Sequence, residues 1–433
     1  MKRFFIKTLG CKTNQIESAI IEEKLIADGL LISNNIPECD YFILNSCSVT
    51  GTADSKAMVL LKKAKKENPN IKTVLTGCFA QLMAENLKSY DFIDFIVGNE
   101  EKTNIAEIIK NDMKYAVSDI SEHDSFKYEK LNSLRRTRAT IKIQDGCDNR
   151  CAYCTIPLAR GNNRSNSIKN VIEQIDTLVS HGYKEAVLTG IHIGQWGMDF
   201  KDGSRIIDLL KAIEKTSVHR YRLGSLNPLE FDDELIDFLA NSEKFCPHFH
   251  MSLQSACDKT LKNMNRYYTH ELSAKLIDKL KDKFDNAFIG SDIIVGFPGE
   301  TDEDFAITLK NLEKMPLSQI HVFPYSKRPN TKAFGMENQI SSSKKKERVT
   351  IIKALSDKKH KDFLKSNINS QREVIIENRR DKLSGNMKGL TDNYINVLIV
   401  GDNKDFEQCQ STVQKVLITS YSEQFQKLIG EIL

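Results

Sequence analysis

The 433-residue sequence has no hydrophobic run approaching the ~20 residues that a membrane-spanning helix needs, so no membrane association is expected. Its start, MKRFFIKTLGCKTNQ, has a basic end but only a short apolar piece and no small-residue cleavage site. It does not read as a signal peptide. Strong charge imbalance is also missing, and a net charge of +4 neither requires nor excludes a nucleic-acid partner. Disulfides are not expected: a cytoplasmic location is predicted, where the ten cysteines stay reduced or bind metal. What remains is an ordinary globular composition, 40% hydrophobic and 28% charged, in a chain long enough for two or three domains.

The strongest chemical signal is QDGCDNRCAYC, which sets Cys147, Cys151 and Cys154 in a C-x3-C-x2-C pattern after the apolar run 140–144. Three thiolates this close suit soft iron. A structural zinc site wants a fourth Cys or His nearby, and none follows until His181. The pattern predicts a 4Fe–4S cluster held by three cysteines, with one iron open to a non-protein ligand. Three buried thiols serving as small apolar groups are the plainer alternative. The polar neighbours Asp145, Asp148, Asn149 and Arg150 disfavour it.

The fold class expected is α/β with three parts. In residues 1–111 the runs FFIKTL, YFILN, TVLTG and FIDFIVG alternate with helix-like segments, which implies a parallel sheet covered by helices. Cys11, Cys47 and Cys78 each follow one of the first three runs. The carboxyl ends of parallel strands share one edge, where ligands gather. Taken singly, each thiol reads more readily as a buried core cysteine. Their repeated placement, with Gly10 and Gly77 letting the backbone turn, favours convergence on a second cluster.

Residues 112–138 read as a polar linker whose Arg135, Arg136 and Arg138 are either a solvated run or phosphate contacts. Over 139–366 the runs TIKIQ, EAVLTG, YRLGSL, HFHMSL, FIGSDIIVG and SQIHVFPYS alternate with helices, ending in a long helix after SSSKKKER. Six units suggest a partial (β/α)6 barrel with its chemistry at the carboxyl ends of the strands. The β-branched runs of 367–433 suggest a small antiparallel barrel. Its Lys382, Lys388, Lys404, Lys415, Arg372, Arg379 and Arg380 are a solvated surface or hold phosphates. Cys39, Cys246, Cys257 and Cys409 have no partner at useful spacing, and His192 and His250 read as packed rather than ligating.

The cysteine motif with Tyr153 before its last member resembles the radical S-adenosylmethionine superfamily. RATIKIQDGCDNRCAYCTIPLARGNNRS narrows this to the methylthiotransferases, which add a methylthio group to tRNA or to a ribosomal protein. The resemblance implies two 4Fe–4S clusters, one on Cys147, Cys151 and Cys154 with S-adenosylmethionine on its open iron, and an auxiliary one on Cys11, Cys47 and Cys78. It makes strand ends into cofactor contacts: Thr189 and Gly190, Arg222 and Ser225, Ser252 and Gln254, and Arg266 as a carboxylate fork. VGFPGET is then a backbone support for the adenine. The family tends to carry an acidic residue where this chain has Asn227, and Gly where it has Asn330.

No protein side chain is required as catalyst. TLGCKTNQIES and NSCSVTGTADSKA look most like the branch acting on N6-threonylcarbamoyladenosine in tRNA. Isopentenyladenosine in tRNA and a ribosomal protein are the alternative substrates. The implied partners are a tRNA anticodon stem-loop, an electron donor such as flavodoxin or ferredoxin, and a sulfur donor. The C-terminal module resembles the RNA-binding TRAM domain, so a chain ending near Lys365 should keep both clusters and bind tRNA more weakly. An iron–sulfur electron carrier, or an RNA-binding protein with structural zinc, would be the reading outside this class.

Overall fold

Apolar runs that alternate with helices produce the expected sheet at the amino-terminal end of the chain. Its strands are β1 (Arg3–Thr8), β2 (Leu31–Ile32), β3 (Tyr41–Ser46), β4 (Lys72–Gly77), β5 (Phe95–Val97) and β6 (Tyr115–Ala116). All pairs are parallel, in the order β2-β1-β3-β4-β5-β6. β3 is buried along its whole length, as a central strand covered on both faces must be. Helices Lys12–Ala27, Gly51–Glu67 and Cys78–Leu87 follow β1, β3 and β4. β6 extends the sheet from within the stretch read as linker. In this computed structural model the described residues are 1–132, 136–401 and 403–433, the side chains of 403–405 excepted. Arg135 and the side chain of Lys404, both among the basic residues read above, lie outside them.

The middle of the chain forms the open barrel of six strands. β7 (Ala139–Lys142) leads to a short antiparallel pair, β8 (Gln144–Asp145) with β9 (Arg164–Ser165). The barrel continues through β10 (Glu185–Thr189), β11 (Arg220–Leu223), β12 (His248–Gln254), β13 (Phe288–Val295) and β14 (Gln319–Pro324). β7, β10 and β11 pair in parallel, as do β12, β13 and β14. Parallel bridges Tyr221–Phe245 and Leu226–Met251 connect the two halves. Alternation sorts the side chains. Ile141, Leu188, Tyr221, Leu223, Phe249, Met251 and Ile293 join the helices in one large core. Lys142, Glu185, Arg220, Arg222, His248 and Gln254 occupy the alternate positions. The long helix Ser342–Lys365 lies along β14, with Ser356 Oγ accepting from Ile320 N at 2.9 Å.

The last residues close into a barrel of β15 (Gln371–Ile376), β16 (Met387–Thr391), β17 (Asn396–Ile399), β18 (Val413–Ser422) and β19 (Lys427–Ile432). It departs from the antiparallel expectation in one pair, since β17 and β19 run parallel. Helix Asn403–Cys409 and β18 carry the chain back before β19 lies beside β17.

This small barrel seals the amino end of the larger one. Glu185 opens β10 and Arg220 opens β11. Arg220 donates to the carbonyls of Glu373 and Leu390 at 3.0 and 3.1 Å. Arg222 donates to those of Asp392 and Thr391 at 2.8 and 3.2 Å. Tyr394 packs against His248 with ring centroids 4.0 Å apart and planes tilted by 33°. Among the described residues no helix is long and apolar enough to cross a membrane.

Candidate metal centres and the cavity between them

The six cysteines of interest occupy the carboxyl ends of strands in two different sheets. Cys11 caps the helix Lys12–Ala27, and Cys78 is the first residue of the helix Cys78–Leu87. Cys47 follows β3 and lies against Gly10, where an added Cβ would stand 2.6 Å from the Cys47 Cβ. Gly77 holds φ +92°, and a side chain there would meet the Ser46 carbonyl at 2.3 Å. Only glycine lets Cys78 turn into the site.

The second set sits on the loop after β8. Gly146, directly before Cys147, holds φ +70°, and a Cβ there would fall 1.8 Å from the Asn162 carbonyl oxygen. Gln144 ties this loop to the end of β10: its Nε2 donates to the carbonyls of Asp145 and Gly146, and its Oε1 accepts from Ile191 and His192 N–H. Burial, reinforced by the neighbouring cysteines of its own set, pushes the Cys154 thiol up to about 12. Burial likewise pushes Cys47 up to about 11, with Cys78 and Cys11 adding to it. Such thiols stay protonated until a metal holds them, so metal binding there releases protons. Among the described residues, no three His, Cys, Asp or Glu side chains stand close enough to hold a single metal ion. A cubane cluster bound at three of its corners sets its cysteines farther apart than that, and two all-cysteine donor sets suit it.

Both sets border one cavity of about 590 Å³. Cys11 reaches it from the amino-terminal sheet and Cys154 from the barrel loop. Tyr153, Ile294, Phe323 and Tyr325 give it flat or apolar walls, and Gln254 and Asp292 supply polar groups.

The residues read as cofactor contacts divide. Arg266 stands beside the second set, with Nη1 3.4 Å from Cys151 Sγ, but its other donors are taken by the Ser252 carbonyl and the Tyr268 hydroxyl. Ser252 thus acts through its backbone. Gln254 lines the cavity at a register shift in β12, in a left-handed conformation with φ +64°. Thr189 is buried, its carbonyl accepting from Ile143 N, and Gly190 packs against Gln144. Ser225 is exposed past the end of β11. Arg222 is not brought to the site. It is fully buried at the sealed end, paired with Glu185 and the C-terminal barrel.

His192 is packed as expected, with both ring nitrogens engaged. Its Nδ1 lies 3.5 Å from Cys147 Sγ, and its Nε2 meets Glu230. Burial opposes its positive charge, but Cys147 and Glu230 outweigh it and hold the ring up to about 10. His250 lies 3.0 Å from Asp292 and stacks on His321. Cys39, Cys246 and Cys257 are buried core thiols. Asn227 caps the turn Pro228–Glu230. Asn330 adopts φ +62°, a conformation that Asn tolerates better than most side chains, which explains how it can stand where the family has Gly.

Fold and site together define a radical S-adenosylmethionine enzyme. The Radical SAM superfamily profile matches residues 141–312, and that of Uncharacterized protein family UPF0004 matches residues 3–98. The threonylcarbamoyladenosine tRNA methylthiotransferase MtaB of Thermotoga maritima is 38% identical over 410 residues, covering 93% of this chain and 92% of its own. The tRNA-2-methylthio-N(6)-dimethylallyladenosine synthase of Endomicrobium trichonymphae is 34% identical over 380 residues, covering 86% and 88%. The radical S-adenosylmethionine methyltransferase TsrM of Kitasatospora setae shares the fold at a TM-score of 0.56 and 14% identity, covering 77% of each chain. The chain belongs to the radical S-adenosylmethionine methylthiotransferase family, whose chemistry uses S-adenosylmethionine and a 4Fe–4S cluster.

Proposed function

We propose that this enzyme places a methylthio group on C2 of N6-threonylcarbamoyladenosine in the anticodon loop of tRNA. The observation that carries the reading is that Cys11 and Cys154, from the two three-cysteine sets, border one cavity. Cys147, Cys151 and Cys154 hold one 4Fe–4S cluster, and Cys11, Cys47 and Cys78 hold a second. When bound, the first cluster with S-adenosylmethionine supplies a carbon radical able to take hydrogen from an unactivated aromatic C–H, and the second carries the sulfur to be transferred.

The chain's own residues position and shield. Tyr153, Phe323 and Tyr325 offer aromatic surface to a base turned out of the loop, where unstacking is cheap. Arg266 places a cation against Cys151 and orients the end of β12 through the Ser252 carbonyl. His192 places a second positive charge beside Cys147. Gln254 and Asp292 are polar groups within reach of the substituent on the base. The basic residues Arg136, Arg138, Arg379 and Lys388, which line a second cleft with Lys12, hold RNA phosphates in a TRAM-like manner. A flavodoxin or ferredoxin supplies electrons in the cytoplasm, and a separate donor supplies sulfur.

The 38% relative supports threonylcarbamoyladenosine as substrate over the dimethylallyl form named for the 34% relative. Mass spectrometry of tRNA nucleosides from cells with and without this protein tests the assignment. Loss of 2-methylthio-threonylcarbamoyladenosine is expected. Loss of the isopentenyl product instead would reassign the substrate, and an unchanged nucleoside profile would remove tRNA from the reading.

A further inference from the structure

The two cysteine sets are joined by a buried charge network centred on Arg160. The side chain is 1% exposed. Nη1 donates to Glu17 Oε1 at 2.9 Å and to both Asp145 oxygens at 3.0 and 3.1 Å. Nη2 donates to Asn14 Oδ1 at 2.7 Å and to Glu17 Oε2 at 3.0 Å. Two of the three acceptor residues, Asn14 and Asp145, are one step from a cysteine. Asn14 lies three residues past Cys11, with its Nδ2 bonded to the Leu9 and Ser46 carbonyls that flank Cys11 and Cys47. Asp145 accepts from the N–H of Gly146, directly before Cys147. Arg160 itself ends the short helix that follows Cys154.

A parallel route reaches the third cysteine of the first set. Asn99 Nδ2 donates to the Ala159 carbonyl at 2.6 Å and lies 3.9 Å from Cys78 Sγ. Lys102 bonds Asn99 at 2.8 Å and Glu17 at 2.6 Å. Lys142 bonds Glu17 and Asp145 at 2.8 and 2.6 Å. Burial disfavours the Glu17 charge, but Arg160, Lys102 and Lys142 hold its carboxyl well below the usual range. A buried ion network gains little over well-packed apolar groups in stability, so its value here is geometric.

We propose that Arg160 is a positioning residue that fixes the separation of the two cysteine sets, with Glu17 and Asp145 as its anchors. The inference rests on both sets holding clusters. A radical made at one centre and sulfur delivered from the other must meet at one carbon, and a misplacement of ~1 Å costs such a reaction on the order of 100-fold. One planar fork that holds Asn14, Glu17 and Asp145 together fixes that distance. A lysine ammonium lacks the fork.

The test compares Arg160→Lys, and Arg160→Met combined with Glu17→Gln, against the parental full-length protein reconstituted with iron and sulfide. Both substitutions keep the network's net charge. Three quantities are read: iron per chain, the distance distribution between the two reduced clusters by pulsed EPR, and methylthiolated product per 5′-deoxyadenosine released. Expected are full iron content, a shifted or broadened distance distribution, and a product ratio lower by roughly 100-fold. An unchanged distribution and ratio overturn the inference. Iron loss in both variants makes Arg160 a folding residue and overturns it too. A parental protein with a single cluster signal removes the two-cluster reading and this inference together, whereas two signals unmoved by substitution remove this inference alone.

Discussion

At the amino end of the core barrel, Glu185 is held by Arg220 and Arg222, and four donor contacts from those arginines end on carbonyls of the C-terminal barrel. At the carboxyl end, Arg160 holds Glu17 and Asp145 in an equally buried cluster of charge. There, however, the neighbouring groups are thiols that border an open cavity. Both ends bear the desolvation cost of buried ions and offset it with well-placed hydrogen bonds. The difference lies in where the network stops. The first stops on another domain's backbone and makes a seal. The second stops on the loops that carry the cysteines and leaves room for a substrate.

Removing thiols should give the largest effect and break the comparison at its reactive end. With Cys147, Cys151 and Cys154 all replaced by Ala, iron should fall by about half from roughly eight per chain, and 5′-deoxyadenosine release should vanish. The corresponding replacement of Cys11, Cys47 and Cys78 should abolish methylthiolation while deoxyadenosine release persists. Full iron in the first variant would contradict the assignment of the central motif.

At the sealed end the expected loss is of stability. Arg222→Met leaves Glu185 with Arg220 but removes its second arginine and the donors to the Thr391 and Asp392 carbonyls, and should cost about 2–3 kcal/mol in denaturant unfolding. A chain ending at Lys365 removes the carbonyl acceptors of both arginines, so the core is expected to be destabilised along with any loss of RNA affinity. A denaturation midpoint unmoved by Arg222→Met would show that the seal contributes nothing.

Acid should weaken both ends, and a substitution at Glu185 isolates the share of the sealed one. Burial raises the Glu185 pKa, but Arg222 and Arg220 outweigh it and bring the carboxyl down to about 2 from 4.5. A depressed carboxylate stabilises the fold above its unfolded pKa and loses that contribution as pH falls toward its folded one. Stability should therefore drop by about 3 kcal/mol between pH 4.5 and 2, and Glu185→Gln should flatten that part of the profile while lowering stability at neutral pH. An identical acid limb in the variant would assign the loss to other carboxylates.

Smaller, and specific to the reactive end, are Gly77→Ala and Gly146→Ala. Each forces a side chain into a left-handed turn and against a carbonyl, at 2.3 and 1.8 Å. A cost on the order of 1–3 kcal/mol is expected from the backbone strain, with weaker iron retention at the set each glycine adjoins. Equal iron binding by parental and substituted chains would separate the turns from the metal sites.

Much of this arrangement is legible in local pattern. The six runs read over the core became β7 and β10–β14, because alternation and turn chemistry act within a few residues. That all six cysteines lie past strand ends could be read from their place after the apolar runs. Arg222 was misplaced because its partners, Thr391 and Asp392, lie some 170 residues further on, and nothing beside it marks them. The neighbours of His192 were out of view for a related reason, since Cys147 comes beside it only through the pairing of β7 with β10. β2 and β6 span two residues each, too few for any periodicity to be seen. The parallel pairing of β17 with β19 is set by how the barrel closes, which strand composition does not encode. Arg160 was in view within PLARGNNRS, and its acceptors on another domain were not.

The floor of the core barrel also imposes an order on synthesis. Arg220 and Arg222 leave the ribosome about 170 residues before Thr391 and Asp392, which at roughly 5–20 residues per second is an interval on the order of ten to thirty seconds. Throughout it the nascent barrel holds two buried arginines whose carbonyl partners have not yet been made. The cysteines of both sets emerge before that interval begins. The nascent chain therefore exposes the cysteines of both sets while its opposite end is still unsealed, a period in which transiently open apolar surface is most prone to misassembly.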